Sequence, residues 1–371
     1  MQSPFASKVI IVGGGVIGML SALRLLQAGQ QVTLIERTKL GLEASWAGGG
    51  IVSPLYPWRY SPAVTALSVF SQHVYPVLAK ELLDAVGIDP EVHETGLYWL
   101  DLEDEASALE WATREDKPLH AVDIDEVASR VGALGRGFAR ALWMPGVANV
   151  RNPRLLKSLR AALLAMPGFS LLEDAELVGL EPLPSNGFRL LLKNGSLTTE
   201  RVVIAAGSWS GQLLGELGLD LPVEPVKGQM ILYKCGEDFL PAMVLAKGRY
   251  AIPRRDGHIL VGSTLEHAGF DKTPTDEALA SLQASAEELL PGLADAEVVG
   301  HWAGLRPGSP EGIPFIGEVP QYPGLWLNCG HYRNGLVLAP ASCELLKNLM
   351  LGEAPIIDPA PYAPAGRLRR L

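Results

Sequence analysis

The stretch Val9-Ile10-Ile11-Val12-Gly13-Gly14-Gly15-Val16-Ile17-Gly18 reads as a buried strand, a tight glycine turn and the start of a helix. The apolar run continues to Gly29, and a second strand, Val32 to Ile35, ends in Glu36. Each glycine has its own physical task. Gly13 lets the chain turn sharply after the strand, Gly15 lets the backbone approach a pyrophosphate, and Gly18 lets the helix pack close to the sheet. The helix N-terminus offers unpaired N–H groups and partial positive charge to phosphates. Glu36 stands where a carboxylate accepts hydrogen bonds from ribose hydroxyls. Strand, turn, helix, second strand and terminal acid occur in the order of a dinucleotide-binding unit, and at this point NAD and FAD both fit.

Composition limits what surrounds this unit. The chain has 371 residues, enough for two domains, with 48% hydrophobic and 19% charged residues, an ordinary soluble balance. Its net charge is −10, and Lys and Arg form no long run, which argues against a nucleic-acid partner. Three widely spaced cysteines, Cys235, Cys329 and Cys343, suggest neither a disulfide framework nor a metal site and fit a cytoplasmic protein. No secretory signal is visible, and no apolar run is long enough to predict membrane insertion. Arg367 to Leu371 reads as a frayed tail.

Along the chain, 38–60 is a loop-rich connection carrying Trp46, Tyr56, Trp58 and Tyr60. Pro62 to Val86 is helical, with Val69, Val74, Val77, Leu78, Leu82 and Leu83 at helical spacing. Residues 104–117 and 123–132 read as surface helices. A helix over Asn152 to Met166 has Asn152 as N-cap and Pro153 in its first turn. Strands follow between 170 and 204, with hairpin turns at Ser185-Asn186-Gly187 and Lys193-Asn194-Gly195. A second strand-rich block covers 224–266, with a hairpin turned by Asp256-Gly257. Thr275 to Leu290 and Ala339 to Leu351 are further helices. These elements predict an α/β chain: a Rossmann-like nucleotide domain, discontinuous over 1–75, 150–222 and 300–371, and an α+β substrate domain with a large antiparallel sheet over 76–149 and 223–299.

Three more segments carry chemistry. Val202-Val203-Ile204-Ala205-Ala206-Gly207-Ser208-Trp209-Ser210 runs a buried strand into small residues, where backbone approaches a ligand. His301-Trp302-Ala303-Gly304-Leu305-Arg306-Pro307 places an arginine among apolar and glycine residues. That arginine is either paired with a distant carboxylate or free for an anionic ligand, which a guanidinium fork binds bidentately. Gly330-His331-Tyr332-Arg333-Asn334-Gly335-Leu336 precedes a helix and suits an anionic or polarised partner. His301 and His331 read as structural.

Together these motifs resemble the FAD-dependent D-amino-acid oxidase superfamily over about residues 8 to 355, and within it most nearly the glycine oxidase branch of thiamine biosynthesis. The resemblance implies that Gly13, Gly15, Val16, Ile17 and Gly18 hold the FAD pyrophosphate, and that Glu36 and Arg37 meet the adenosine ribose. It places Ala44, Ser45, Gly49, Gly50 and Ile51 along the flavin, Val178 against the adenine by its backbone, and Gly207 at the strand end. His331, Tyr332, Arg333, Asn334, Gly335, Leu336 and Val337 would wrap the flavin carbonyl edge. Arg306 would bind the substrate carboxylate, Tyr250 would assist it, and Arg333 would stand on the substrate side. The sequence departs from the branch in two places: Gly248 replaces a histidine, and Leu265 replaces a methionine that contacts substrate. Tyr56, Trp58 and Tyr60 add aromatic bulk to the active-site loop. The flavin-linking cysteine of monomeric sarcosine oxidase is matched by Arg306-Pro307, with Cys329 elsewhere, so FAD is expected to be non-covalent.

The activity so implied is oxidation of glycine and of small amines or D-amino acids to a 2-oxo acid, ammonia or amine, and hydrogen peroxide. Its partners are a small amino acid and oxygen, and assembly as a homo-oligomer stays open. Orientation of substrate against the flavin supplies the catalysis, without a protein base. Two alternatives remain at this stage. One is a D-amino-acid or sarcosine/proline dehydrogenase of the same fold passing electrons to another acceptor. The other is a nucleotide-binding or RNA-modifying flavoprotein, against which the acidic charge counts.

Overall fold

A computed structural model describes residues 9–184 and 186–371. The first strand, Val9–Val12, lies near the middle of a six-stranded sheet. Its order is Phe315–Glu318, Leu325–Cys329, Arg201–Ile204, Val9–Val12, Val32–Ile35 and Phe169–Leu172. All neighbours are parallel except the Phe315–Glu318 and Leu325–Cys329 pair. Every residue of Val9–Val12 is buried because both faces are covered. Val9 and Ile11 face helices Val16–Gln27, Pro62–Val86, Asn152–Ala165 and Gly335–Leu351. Ile10 and Val12 face the three-stranded sheet of Leu177–Pro182, Phe188–Leu192 and Gly195–Thr199.

The second large sheet has eight strands, in the order Glu297–Gly308, Glu224–Lys234, His258–Gly262, Arg249–Pro253, Met243–Ala246, Leu97–Leu100, Ala141–Met144 and His120–Val122. Strand alternation divides its residues between two cores. Ile231, Tyr233 and Ala251 pack with helix Asp276–Leu289, whereas Met230, Tyr250 and Ile252 belong to the opposite face.

Two expected domain boundaries meet continuous elements. The division at 75/76 runs through helix Pro62–Val86, whose Val64, Tyr75 and Leu82 all join the nucleotide-side core. The division at 299/300 falls inside strand Glu297–Gly308, which pairs with Glu224–Lys234 from end to end, so Arg306 is carried by the eight-stranded sheet. On helix Pro62–Val86, Val77 and Leu83 face solvent instead of the core. Of the expected turn 185–187, Ser185 lies outside the described residues; Asn186 and Gly187 have φ of 64° and 95°.

Helix Gly335–Leu351 begins four residues before the expected Ala339 and contains Pro340. An interior proline leaves the carbonyl four residues earlier without its N–H. That carbonyl, Leu336, accepts a hydrogen bond from the buried Tyr75 hydroxyl at 2.6 Å. The Ala341 N–H donates to Ser71 Oγ at 3.0 Å. Helix Pro62–Val86 therefore supplies both polar groups that let the helix start beside the nucleotide turn. The C-terminal tail is docked, not frayed. Arg367 donates to the carbonyls of Ile313 and Pro314 and lies 3.9 Å from the centre of the Phe315 ring. Arg369–Arg370 pairs with Leu219–Asp220.

Candidate active site

The glycine turn opens at the C-terminal ends of Val9–Val12 and Arg201–Ile204, where open α/β sheets bind ligands. Gly13 has φ of 110°, and a Cβ there would stand 2.4 Å from the Ala205 carbonyl oxygen. A Cβ on Gly18 would stand 1.9 Å from the Gly13 oxygen. The turn thus requires glycine twice for packing alone. Glu36 is buried, with one oxygen accepting from Gly14 N at 2.8 Å and the other from Thr38 N at 3.0 Å. Ser45 Oγ accepts from Val16 N at 2.9 Å, tying the helix start to the connection that follows. Arg37 lies 3.6 Å from the centre of the Trp209 ring and pairs with Glu43.

From this turn a cleft runs to the eight-stranded sheet. It is lined by Gly13, Gly15, Val16, Ile17, Glu36, Arg37, Ala44, Ser45, Gly49, Gly50, Ile51 and Gly207, by all of 331–337, and by Tyr250 and Arg306. Two expected residues do not line it. Gly18 is spent on helix–sheet packing. Val178 is half-exposed, and its neighbours Ala175, Glu176 and Leu177 form that end of the cleft. Leu265 is half-exposed and lies outside the lining, which is formed there by Ser263. The aromatic residues of the 38–60 connection are braces rather than lining. Trp58 packs on Trp99 and Trp111 and donates to Asp104, and Tyr56 Oη accepts from Gly248 N at 3.0 Å. Leu55 reaches the cleft in their place.

The glycine loop at 48–50 is held from three sides. Asn152 is not the N-cap; Arg151 occupies that position without a side-chain cap, and Asn152 is buried in the first turn. Its amide donates to the carbonyls of Ser45 and Gly48 at 2.8 and 3.1 Å. Trp302 donates to the Ala47 carbonyl. Arg254 is buried and donates to the Gly49 carbonyl at 2.8 Å, the Val150 carbonyl at 3.0 Å and Asn149 Oδ1 at 2.9 Å.

At the sheet end, three strands contribute Arg306, Met230 and Tyr250, and Ser263 directly follows the end of His258–Gly262 between them. Arg306 donates to Ser263 Oγ at 2.7 Å and to the Lys227 carbonyl at 3.2 Å. Its guanidinium lies over Gly228, whose missing Cβ would sit 2.1 Å from Nη2. Among the described residues neither Arg306 nor Arg333 has an ion-pair partner. Burial lowers the Arg306 pKa from its ordinary value, and Arg333 adds to the effect. The Tyr250 hydroxyl donates to Met230 Sδ at 3.4 Å and faces Gly49.

His331 is buried with Nε2 unpartnered, and burial pushes its pKa down to about 3, so it is neutral. His301 contacts Gln229 Oε1 at 3.0 Å, outside the cleft. Cys329, which does not stand at the position of the flavin-linking cysteine, lines the cleft, and burial pushes its thiol up to about 12 and keeps it protonated. The amide nitrogen of Asn334 and Oδ1 of Asn152 are buried in the same lining without partners. Unpaired polar atoms of this kind are costly unless a ligand completes them. A glycine turn with a buried acid, a close-approach glycine loop and these unsatisfied groups fit a flavin dinucleotide along the cleft.

The sequence profile of FAD dependent oxidoreductases (the D-amino-acid oxidase family) matches residues 8–349. The chain belongs to that family. It is 65% identical to glycine oxidase of Pseudomonas putida over 363 residues, 98% of this chain and 100% of that protein. The solved glycine oxidase of Geobacillus kaustophilus superposes with a TM-score of 0.92 at 32% identity, over 96% of this chain and 98% of that one. A bifunctional protein ThiO/ThiG of Nostoc sp. is 30% identical over 349 residues, which are 92% of this chain and 52% of that protein. In this FAD-dependent family member, Asn152, Arg254, Ser263 and Met230 are lining or supporting residues that the sequence motifs did not identify. No described helix is long and apolar enough to cross a membrane.

Proposed function

We propose that this protein is a glycine oxidase that takes glycine, and small amines or D-amino acids, to a 2-oxo acid, ammonia or amine, and hydrogen peroxide. The observation that carries this reading is Arg306, a half-buried guanidinium in the cleft with no carboxylate partner among the described residues. Its fork is held by neutral oxygens only, which orient it without cancelling its charge. A substrate carboxylate completes it bidentately, and Tyr250 turns its hydroxyl from Met230 to the same carboxylate. Arg306 and Arg333 together make the site electropositive, which favours the neutral amine over the ammonium. The neutral amine is the form that gives up a Cα–H pair of electrons.

The carboxylates that line the cleft among the described residues, Glu36, Glu43 and Glu176, lie at the nucleotide end, and His331 is neutral with a low pKa, which supports a reaction without a protein base at the substrate end. Catalysis therefore rests on placement. When bound along the cleft, FAD supplies the two-electron acceptor. Gly13 to Gly18 and Glu36 hold its dinucleotide part, the 48–50 loop and 331–337 its flavin part. The protonated Cys329 supports non-covalent attachment. The ThiO/ThiG relative of Nostoc supports a place in thiamine biosynthesis, and the relatives named glycine oxidase support oxygen as the electron acceptor.

The test uses the purified protein. It should be yellow, release FAD on acid treatment, and form peroxide from glycine, sarcosine and D-proline under air. Bleaching of the flavin by these substrates without peroxide would replace oxygen by another acceptor, and a protein unable to take up FAD would end the reading.

A further inference from the structure

Arg306 lies on the edge strand of its sheet, where a long side chain has many rotamers and, among the described residues, no carboxylate to fix it. Its guanidinium nevertheless occupies one defined plane. Gly228 leaves the space under it, the Lys227 carbonyl receives one nitrogen, and among the described residues the only side chain that receives the other is Ser263. Ser263 is itself fixed on both sides. Its carbonyl accepts from Arg249, and the next residue, Thr264, accepts from Gln229 N at 2.8 Å through its hydroxyl.

We propose that Ser263 is a positioning residue that holds the Arg306 fork in the orientation that receives the substrate carboxylate. This rests on the reading of Arg306 given above. A serine suits the task because its oxygen is neutral: it orients the guanidinium and leaves its charge for substrate. An acid at the same place would orient it equally well and occupy it.

The holoenzymes of Ser263→Ala, Ser263→Thr and Ser263→Asp test this against the parent protein. Peroxide formation from glycine gives kcat and KM, acetate gives an inhibition constant for a bare carboxylate, and flavin content and the thermal midpoint report folding. A hydrogen bond to a charged group sets the scale: Ser263→Ala should raise KM and the acetate constant about tenfold with kcat within about twofold. Ser263→Thr keeps the hydroxyl and should restore both. Ser263→Asp should abolish acetate inhibition while retaining flavin.

The proposal is overturned if Ser263→Ala leaves both constants at parental values. Should the alanine variant fail to fold, the Thr and Asp pair decides, and an Asp variant with parental acetate affinity overturns it. A parent protein that neither oxidises glycine nor responds to acetate would instead overturn the assignment of Arg306 itself.

Discussion

Arg254 offers the sharpest link between a buried side chain and cofactor affinity. It is 7% exposed, and burial lowers its pKa to about 10, so it stays charged at neutral pH. Of its three hydrogen bonds, those to Asn149 and Val150 hold the neighbouring segment, and only the one to the Gly49 carbonyl touches the flavin loop. Arg254→Ala removes all three. A charge-assisted hydrogen bond contributes about 1.5–3 kcal/mol. The loop bond alone then corresponds to a rise of about 10- to 100-fold in the FAD dissociation constant. The other two bonds should appear as lost stability. Arg254→Lys retains one donor group and should fall between the two. Fluorescence titration of the apoprotein with FAD, beside urea unfolding of the same samples, separates these effects. A variant that loses stability yet binds FAD like the parent would refute the idea that Arg254 acts through the loop.

Two further outcomes follow from named contacts. Tyr75→Phe leaves the Leu336 carbonyl, already deprived of its N–H by Pro340, without a donor. It should cost about 1–2 kcal/mol in urea unfolding with little change in kcat, and an unchanged midpoint would show that the hydroxyl is dispensable. His331 has a folded pKa of about 3 against an ordinary 6.5. The unfolded chain therefore takes up a proton first as pH falls, so this contribution is complete above 6.5 and is lost progressively towards 3. Between pH 7 and 5 the parent should lose about 2 kcal/mol more stability than His331→Asn. Equal losses in the two proteins would refute the buried neutral imidazole.

Much of the nucleotide side was legible in the sequence because its requirements are local. The strand, the turn glycines and Glu36 follow one another within a single unit, and the steric needs of Gly13 and Gly18 are met by residues of that unit and the strand beside it. Arg306 stood out because charge is rare among its apolar neighbours. What was hidden depends on register between distant strands. Ser263 meets Arg306 because strand His258–Gly262, which Ser263 directly follows, and the strand of Arg306 flank Glu224–Lys234. Arg254 could have been separated from Arg255 by alternation: Tyr250, Ile252 and Arg254 fall on one face, and Arg255 turns outward to Asp89. Asn152 was misread because a proline in the first turn suits a helix whose preceding residue is the N-cap as well as one whose first residue is Asn152. Its buried amide serves the loop instead. Pro340 concealed the true helix start, since the groups that compensate for it, Tyr75 and Ser71, lie about 270 residues away in sequence.

In the proposed reaction Arg306 binds the substrate carboxylate, while the glycine turn and its loops bind the cofactor independently. The most direct measurement is glycine oxidation by Arg306→Ala beside its FAD content. Loss of two charge-assisted hydrogen bonds predicts a fall of about 10²- to 10⁴-fold in kcat/KM, with a full complement of FAD. A variant that still oxidises glycine at the parental kcat/KM would show that Arg306 does not bind the substrate carboxylate.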